Sequence, residues 1–169
     1  VRKLCFRPDG TSHIRRPLYE ILFCNHMRAE LQGHQIVCSA FIEKNQKVLI
    51  FMDPKFKVWR VPGGRPEHGE KLEYTLVREM EEETGIKFES QEFVGWGQDQ
   101  QFKVDDQLET SRLLMFFHVR LGHDHELKLD PTEAEDHKWV TINELKGIEN
   151  KEGALFDFFQ RHPDFDIAK

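Results

Sequence analysis

The chain has 169 residues, of which 38% are hydrophobic and 32% charged, and its formal net charge is -6. This length suits one domain with a sizeable core, and the composition excludes a disordered or membrane-embedded chain. No apolar run reaches transmembrane length, so we expect no membrane partner. The net charge is negative and the sequence contains no stripe of basic residues, which argues against nucleic acid as a partner.

The cysteines indicate a reducing compartment. The chain has an odd number of cysteines, and their spacing does not suggest disulfide pairs: Cys5, Cys24 and Cys38. The N-terminus shows no signal-peptide apolar stretch before a small-residue cleavage site. We therefore expect a cytoplasmic protein, with Cys38 in the core because it lies in an apolar strand.

The first 34 residues are predicted to form an N-terminal arm and a helix that pack on the core. Residues 1–16 are basic and irregular, as is typical of a surface arm. Pro17 suits a first helical position, and Gly33 can end a helix that spans Pro17 to Leu31. A homodimer interface is the alternative role for this helix. Residues 35–169 are predicted to form the main part of a single domain.

Three strands are predicted before the middle of the chain. Gln35–Glu43 is rich in β-branched and apolar residues, and Lys47–Met52 follows it after a turn at Asn45-Gln46. Lys57–Val61 is a third, short strand. These segments predict a hairpin and a strand that leads into a glycine turn.

The second half of the chain predicts two further long segments of strand and two helices. Ile86–Gly97 begins a strand region, and Thr110–Leu121 is nearly continuously apolar, which favours burial on both faces. Between them, Gln98–Glu109 is polar and is predicted to be a loop that reaches over the site. The remaining predictions are a strand at Lys138–Val140, a helix opened by a capping box at Thr141–Glu144, and a final helix at Gly153–Gln160.

The stretch from Gly64 to Ile86 contains the strongest chemical signal. Its second half is rich in helix formers and free of proline. At about 100° per residue, Glu79, Glu82 and Glu83 fall within roughly a quarter turn of one another. An apolar stripe adjoins them and can pack on a sheet: Leu72, Leu76 and Met80. We expect the three carboxylates to face a common point, and because they repel one another and are hard ligands, they favour a divalent cation.

Two further features accompany the carboxylates. Arg78 lies between them and can pair bidentately with one of them. Val61–Gly64 is a tight turn whose two glycines let the backbone approach a ligand or a strand closely. A solvated acidic helix face is the usual meaning of a glutamate run. That alternative does not explain the turn, the arginine and the terminal Gly-Ile together.

The whole stretch resembles the Nudix box, which reads glycine, five residues, glutamate, seven residues, Arg-Glu-aliphatic, one residue, Glu-Glu, one residue and Gly-aliphatic. Every fixed position is filled: Gly64, Glu70, Arg78, Glu79, Met80, Glu82, Glu83, Gly85 and Ile86. The preceding residues 59–63, Trp-Arg-Val-Pro-Gly, also look like the family. The box covers 23 of 169 residues, so it indicates the reaction class better than the substrate.

The resemblance implies an α/β/α sandwich with a mixed sheet between helices. It also implies hydrolysis of a nucleoside diphosphate linked to another group, with Mg²⁺ or Mn²⁺ as cofactor. By resemblance Glu79, Glu82 and Glu83 are the metal ligands, and Glu79 or Glu82 is a candidate base. Glu70 is a further ligand or a partner that orients Arg78, and the backbone carbonyl of Gly64 is a further candidate ligand.

The remaining candidate residues lie outside the box. Family members often take a general base from a later loop, and here the region before Trp139 offers four candidates, of which the first two are preferred for reach and charge: Glu133, Glu135, Asp136 and His137. Candidates for substrate binding are Arg60, Arg65, Trp96, Phe102 and Arg112. For Trp96, Phe102 and Arg112, ordinary packing is the alternative.

Three functions compete at this stage. The first is a metal-dependent hydrolase of a small nucleoside diphosphate derivative, with nucleotide sugars or ADP-ribose ahead of nucleoside triphosphates. The second is a nucleotide-binding module without catalysis, which the intact box disfavours. The third is an isomerase of isoprenoid diphosphates, which no sequence feature demands.

Overall fold

The computed structural model describes residues 34–88, 90–102, 108–121, 126–129, 132 and 134–167, without the side chains of residues 101, 102, 108 and 109. The arm and helix predicted for residues 1–34 therefore lie outside the described residues, apart from His34. Their packing on the core and their role in a homodimer stay predictions.

The described residues form one mixed sheet and three helices. The strands in chain order are β1 (Gln35–Lys44), β2 (Lys47–Met52), β3 (Trp59–Arg60), β4 (Gly63–Gly64), β5 (Glu92–Phe102), β6 (Leu108–Arg120) and β7 (Asp136–Val140). The helices are α1 (Leu72–Thr84), α2 (Ile142–Gly147) and α3 (Gly153–Arg161). The main path of the sheet runs β3-β2-β1-β6-β5, with β4 paired to β1 and β7 paired to β2.

Strand β1 is the organising strand of the sheet. It forms an antiparallel hairpin with β2, and both turn residues, Asn45 and Gln46, have positive φ values of 54° and 61°. This backbone twist matches the twist of paired strands and suits a two-residue hairpin. On its other side β1 pairs in parallel with β6 over nine residue pairs, from Gln35–Arg112 to Glu43–Arg120. The hairpin and its turn are as the sequence predicted.

The two faces of the sheet bury two separate cores. One face packs on α3 through an aromatic cluster in which Phe158 contacts Phe41 and Phe116 at ring distances of 5.4 and 4.9 Å. The other face packs on α1, where Leu76 and Met80 are fully buried. Successive side chains of a strand point to opposite faces, so the nearly continuous apolar run of β6 supplies both cores. The predicted arrangement of a mixed sheet between helices is confirmed.

Several local predictions are confirmed and one is wrong. Thr141 and Glu144 form the predicted capping box of α2, and Cys38 is fully buried in β1. The polar segment Gln98–Glu109 is not a loop throughout, because β5 continues to Phe102 and β6 begins at Leu108. Cross-strand pairing between β5 and β6 overrides the weak strand propensity of this polar sequence. Among the described residues, no helix combines the length and apolar composition needed to cross a membrane.

Candidate active site

The glycine turn at Gly63 and Gly64 lies in close contact with β1 and with the glutamates of helix α1. Gly63 and Gly64 form β4, which pairs with Cys38 and Ser39 of β1. Gly63 has a φ of 151°, and a Cβ at this position would lie 2.6 Å from the Cα of Ser39. A Cβ at Gly64 would overlap the carboxylate of Glu79. Both glycines are therefore required sterically, and the second leaves space for a glutamate.

The guanidinium of Arg78 holds three carboxylates of the box. Its Nε and Nη2 donate to Oε1 and Oε2 of Glu70, each at 3.0 Å. Its Nη1 donates to Glu79 Oε1 at 2.8 Å and to Glu82 Oε2 at 3.1 Å. Nη2 also donates to the carbonyl of Arg65 at 3.1 Å. Arg78 thus neutralises part of the negative charge and fixes the orientation of its partners.

Glu70 is fully engaged by protein groups. Besides the two bonds from Arg78, its Oε2 accepts from the backbone N–H of Glu67 at 2.9 Å and from Thr75 Oγ1 at 2.8 Å. Hydrogen bonds from Arg78 and Glu67 stabilise the charged form and lower the pKa of Glu70 to about 2. Of the two roles left open by the sequence, this geometry favours the partner that orients Arg78.

Glu83 is buried and faces a second arginine. Its Oε1 accepts from Arg60 Nη2 at 3.1 Å, and its Oε2 accepts from the backbone N–H of Gly63 at 2.8 Å. Burial raises the pKa of Glu83 to about 7, although Arg60 and the Gly63 N–H act in the opposite direction. Glu83 therefore ties the end of α1 to the glycine turn.

Glu79, Glu82 and Glu83 all line one large cavity, and their role as a shared set of metal ligands stays a prediction. In the described part of the chain, no three acidic, histidine or cysteine side chains are arranged to hold a metal ion. The three carboxylates are hydrogen-bonded by protein groups: Arg78 donates to Glu79 and Glu82, and Arg60 and the Gly63 N–H donate to Glu83. The sequence also indicated that Arg78 pairs with a carboxylate, but it gave no sign that Arg60 donates to Glu83.

The donor chemistry nevertheless fits a hard divalent cation. Glu79 and Glu82 accept hydrogen bonds from the same nitrogen of Arg78, so their carboxylates are close neighbours. The side chain of Glu79 is 15% exposed and that of Glu82 is 61% exposed, so one is held and the other is accessible. Carboxylate oxygens are the ligands that Mg²⁺ prefers.

These groups line a cavity of about 720 Å³. Its wall includes most of the residues that the sequence singled out: Arg60, Gly64, Arg65, Arg78, Glu79, Glu82, Glu83 and Arg112. The sequence pointed to three further lining residues, Val61 and Gly63 of the glycine turn and Glu67 of the following loop. The other lining residues were not singled out: Gln35, Val37, Ser39, Asp53, Lys55, Phe56, Thr110 and Glu152. A volume of this size falls in the range typical of small-molecule sites.

Arg112 lines the cavity but is committed to two carboxylates. Its Nε and Nη2 donate to Asp99 at 2.9 and 2.5 Å, and Nη2 also donates to Glu152 Oε1 at 2.7 Å. The arginine side chain is only 13% exposed. A contact between Arg112 and substrate would therefore compete with the ion pairs that Arg112 forms with Asp99 and Glu152. The sequence did not indicate these ion pairs.

Trp96 does not line this cavity, contrary to expectation. It lines a separate, mostly apolar cavity of about 400 Å³ with His34, Phe93 and Leu113 among others. The reason is the alternation of β5: Gly95 and Gly97 face α3, so Trp96 points to the opposite face of the sheet. The guanidinium of Arg161 lies 3.9 Å from the ring centre of Trp96, which supports the packing alternative.

The later loop places the candidate bases less favourably than expected. Glu135 forms an ion pair with Lys57 and is not among the residues that line the large cavity. Asp136 and His137 lie in β7, beside β2, and are exposed. Glu133 and the side chain of Phe102 lie outside the described residues, so their roles stay predictions.

Sequence reasoning missed Asp53 and Glu152. Asp53 Oδ2 lies 3.3 Å from Arg60 Nε, and its Oδ1 accepts from the backbone N–H groups of Lys55 and Phe56. Its position before Pro54 gave a turn signal but no sign of a pairing with Arg60. Glu152 precedes the final helix and is 5% exposed. Its burial depends on β6 and could not be read from a local pattern.

Comparison with known proteins identifies the family. The family model for the NUDIX domain matches residues 33–161, which is most of the chain. The chain therefore belongs to the Nudix hydrolase family, whose enzymes act on phosphorus anhydrides.

Relatives in the family differ in their printed activities. A putative 8-oxo-dGTP diphosphatase of Bacillus subtilis is 27% identical over 129 residues, covering 75% of this chain and 80% of that protein. The NAD-capped RNA hydrolase NudC of Vibrio vulnificus is 33% identical over 109 residues, covering 63% of this chain and 38% of that protein. An uncharacterised Nudix hydrolase of Bacillus subtilis, YvcI, is 38% identical over 52 residues, covering 31% of this chain and 33% of that protein.

Solved structures confirm the fold. The MutT protein from Methanosarcina mazei Go1 superposes with a TM-score of 0.61 at 22% identity, covering 79% of this chain and 95% of that one. The NUDIX domain of Shewanella oneidensis NrtR, solved with ADP ribose, gives a TM-score of 0.58 at 16% identity, covering 88% and 98%. The predicted Nudix-type sandwich is thus confirmed.

Proposed function

We propose that this protein is a metal-dependent hydrolase that cleaves the pyrophosphate linkage of a small nucleoside diphosphate derivative. The observation that supports this most directly is the set of box carboxylates around Arg78, which lines one wall of the large cavity. A cavity of about 720 Å³ can accept a nucleotide-sized molecule. We place the protein in the cytoplasm, because its odd cysteine content is typical of reducing compartments.

Glu79 and Glu82 would hold the divalent cation, Mg²⁺ or Mn²⁺, with the Gly64 carbonyl as a further candidate. When bound, such an ion neutralises the negative charge of a pyrophosphate and orients a water for in-line attack. The chain's own contribution is positional. Arg78 keeps Glu79 and Glu82 adjacent, and Glu70 keeps Arg78 in place through a bidentate pair.

Arg60 and Glu83 form the second positioning unit. Glu83 fixes the N–H of Gly63 and thereby the turn that presents Gly64 to Glu79. Arg60 balances the buried charge of Glu83 and that of Asp53. Arg65 also lines the cavity, beside Gln35, and offers a guanidinium to a phosphate or sugar group. Each residue acts by binding or orienting, so substrate phosphate meets a prearranged set of charges.

A nucleoside triphosphate is the second candidate substrate. It is favoured by the similarity to the putative 8-oxo-dGTP diphosphatase of Bacillus subtilis, because the match covers 75% of this chain and 80% of that protein. Nucleotide sugars or ADP-ribose stay ahead in our ordering, since Arg65 and the large cavity leave room for a second group beyond the diphosphate. A non-catalytic nucleotide-binding module is the alternative from another class.

One substrate panel with Mg²⁺ tests the proposal. Nucleotide sugars, ADP-ribose, dinucleoside polyphosphates, triphosphates and capped RNA are compared by kcat/KM, and the phosphorylated products are identified. We expect two phosphorylated fragments from a diphosphate derivative. A lead of tenfold or more for a triphosphate, about 1.4 kcal/mol, would reverse the substrate order. Binding without product would support the module instead.

A further inference from the structure

The wall of the cavity that Glu152 and Arg112 form is a second polar feature, separate from the box. Glu152 lines the cavity although its side chain is 5% exposed. It is the N-cap residue of α3, yet its side chain makes no capping hydrogen bond. The carboxylate is instead turned to Arg112 and to the cavity.

The Oε1 atom of Glu152 accepts a hydrogen bond from the protein, whereas Oε2 can accept one from a ligand. Oε1 accepts from Arg112 Nη2 at 2.7 Å. Among the described residues, no hydrogen bond to Oε2 is found, and Oε2 is not among the fully buried side-chain atoms that lack a partner. This oxygen is therefore not sealed inside the protein, and on the cavity side it can accept a hydrogen bond from a ligand or from water.

The backbone around Glu152 is fixed at both sides, which makes the oxygen a rigid acceptor. The N–H of Glu152 donates to the carbonyl of Trp59 at 2.9 Å, and the N–H of Trp59 donates to the carbonyl of Asn150 at 2.9 Å. Asp99 accepts from Arg112 and also from the N–H of Ala154 at 3.3 Å. The first turn of α3 is therefore held to β3, β5 and β6 together.

From these contacts we propose that Glu152 is a specificity-determining residue, whose Oε2 accepts a hydrogen bond from a donor on the nucleoside part of the substrate. This inference rests on the proposed function for the identity of the ligand. The donor is either an amino group of the base or a hydroxyl of the ribose, since both present the same N–H or O–H chemistry. Arg112 positions Glu152, because its Nε and Nη2 groups are engaged by Asp99 and Glu152.

The Glu152→Gln substitution replaces the hydrogen-bond acceptor that faces the cavity with a donor. Arg112 requires an oxygen, so the amide would place its oxygen at Arg112 and its NH₂ group toward the cavity. The atom facing the nucleoside then changes from acceptor to donor while size is preserved. Asp99→Asn is the matched control, because Asp99 also binds Arg112 but does not line the cavity.

The experiment uses nucleoside diphosphate sugars in matched pairs. Guanosine and inosine derivatives differ by one amino group, and ribose and 2′-deoxyribose derivatives differ by one hydroxyl. The kcat/KM ratio and the Kd ratio of each pair are measured with Mg²⁺ for the wild type and both variants. Circular dichroism and thermal unfolding establish that each variant is folded.

We expect the wild type to prefer the donor-bearing member of one pair by about tenfold to a hundredfold, the range for a charge-assisted hydrogen bond. Glu152→Gln should abolish that preference, and Asp99→Asn should keep it. The pair that responds distinguishes base from sugar. If both ratios are equal in wild type and Glu152→Gln, or if Asp99→Asn removes the preference as well, the inference is wrong. If the pairs are bound with this discrimination but not hydrolysed, the inference stands and the proposed function fails; absence of binding overturns both.

Discussion

The guanidinium of Arg78 and the carboxylate of Glu70 form a bidentate pair, with Nε–Oε1 and Nη2–Oε2 distances of 3.0 Å each. This pair joins the loop before α1 to the middle of the helix. It leaves Nη1 of Arg78 directed at Glu79 and Glu82. The order of the carboxylate cluster therefore depends on a planar donor with several N–H groups, which lysine cannot replace.

Arg78→Lys should accordingly weaken metal binding more than folding. Lysine keeps the charge but loses the fork that engages Glu70 and Glu79 together. We expect a loss of about tenfold to a hundredfold in Mg²⁺ affinity or activity, the scale for partners that orient metal ligands. A Mg²⁺ titration of activity and of the thermal midpoint measures it. Arg120→Lys, at a 66% exposed arginine, is the control. An unchanged Mg²⁺ midpoint would contradict this role for Arg78.

Glu79→Gln and Glu82→Gln should each lower kcat by roughly 10² to 10⁴, the scale for loss of a catalytic acid or base. Each change keeps the side-chain shape but removes a ligand charge. The folded state should persist, because neighbouring like charges on a helix destabilise it. Glu81→Gln is the control on the same helix, since Glu81 is half exposed and pairs with Lys87. Near-normal kcat in both test variants would refute the assignment.

Removal of divalent metal should abolish turnover. Chelator-treated protein is expected to be inactive, and Mg²⁺ or Mn²⁺ should restore activity. The same ions should raise the thermal midpoint, because they bind the folded carboxylate cluster in preference to the unfolded chain. Glu79→Gln should reduce this shift. Full turnover after exhaustive chelation would show that the cluster serves another purpose.

The contribution of Glu152 to the free energy of unfolding should fall as pH rises. Burial raises the pKa of Glu152 above its ordinary value of 4.5, since Arg112 compensates it only partly and Asp99 adds a like charge nearby. The folded state then binds more protons than the unfolded state above that ordinary value, so this group's contribution to stability falls as pH rises through the window between the two pKa values. Arg60 and Arg112 act in the opposite sense.

Glu152→Gln should therefore flatten the pH dependence of the free energy of unfolding above about pH 4.5, the ordinary pKa of the group. Denaturant unfolding of both proteins at a series of pH values measures the effect. Glu92→Gln, at an exposed glutamate of β5, is the control for a change of net charge. A wild-type stability that rises across the same window with the same slope as the variant would contradict the sign.

The aromatic core under α3 should dominate the stability of that face. Phe158 is fully buried and contacts Phe41, Phe116 and Phe165 at ring distances of 4.9 to 5.4 Å. Phe158→Ala is expected to cost about 3–5 kcal/mol in the free energy of unfolding. Phe156→Ala, on the exposed side of the same helix, should cost roughly 0.5 kcal/mol. Equal losses in the two variants would exclude this core arrangement.

The sequence alone determined the elements whose cause is local. The Asn45-Gln46 turn, the Thr141–Glu144 capping box and the left-handed Gly85 at the end of α1 each depend on neighbouring residues. The period of α1 also placed Leu76 and Met80 on the buried face. The complete box indicated the family, since its fixed positions lie within one short stretch.

Only the tertiary structure decided which charged groups meet. Arg60 reaches Glu83 across 23 residues, and Arg112 reaches Glu152 across 40. Strand register places Trp96 on the far face of the sheet. Long-range pairings place Glu83 against Arg60 and the Gly63 N–H, and turn Glu152 toward Arg112. Their physical reason is that long-range hydrogen bonds compete for the same oxygens, and a local sequence pattern does not contain the competitor.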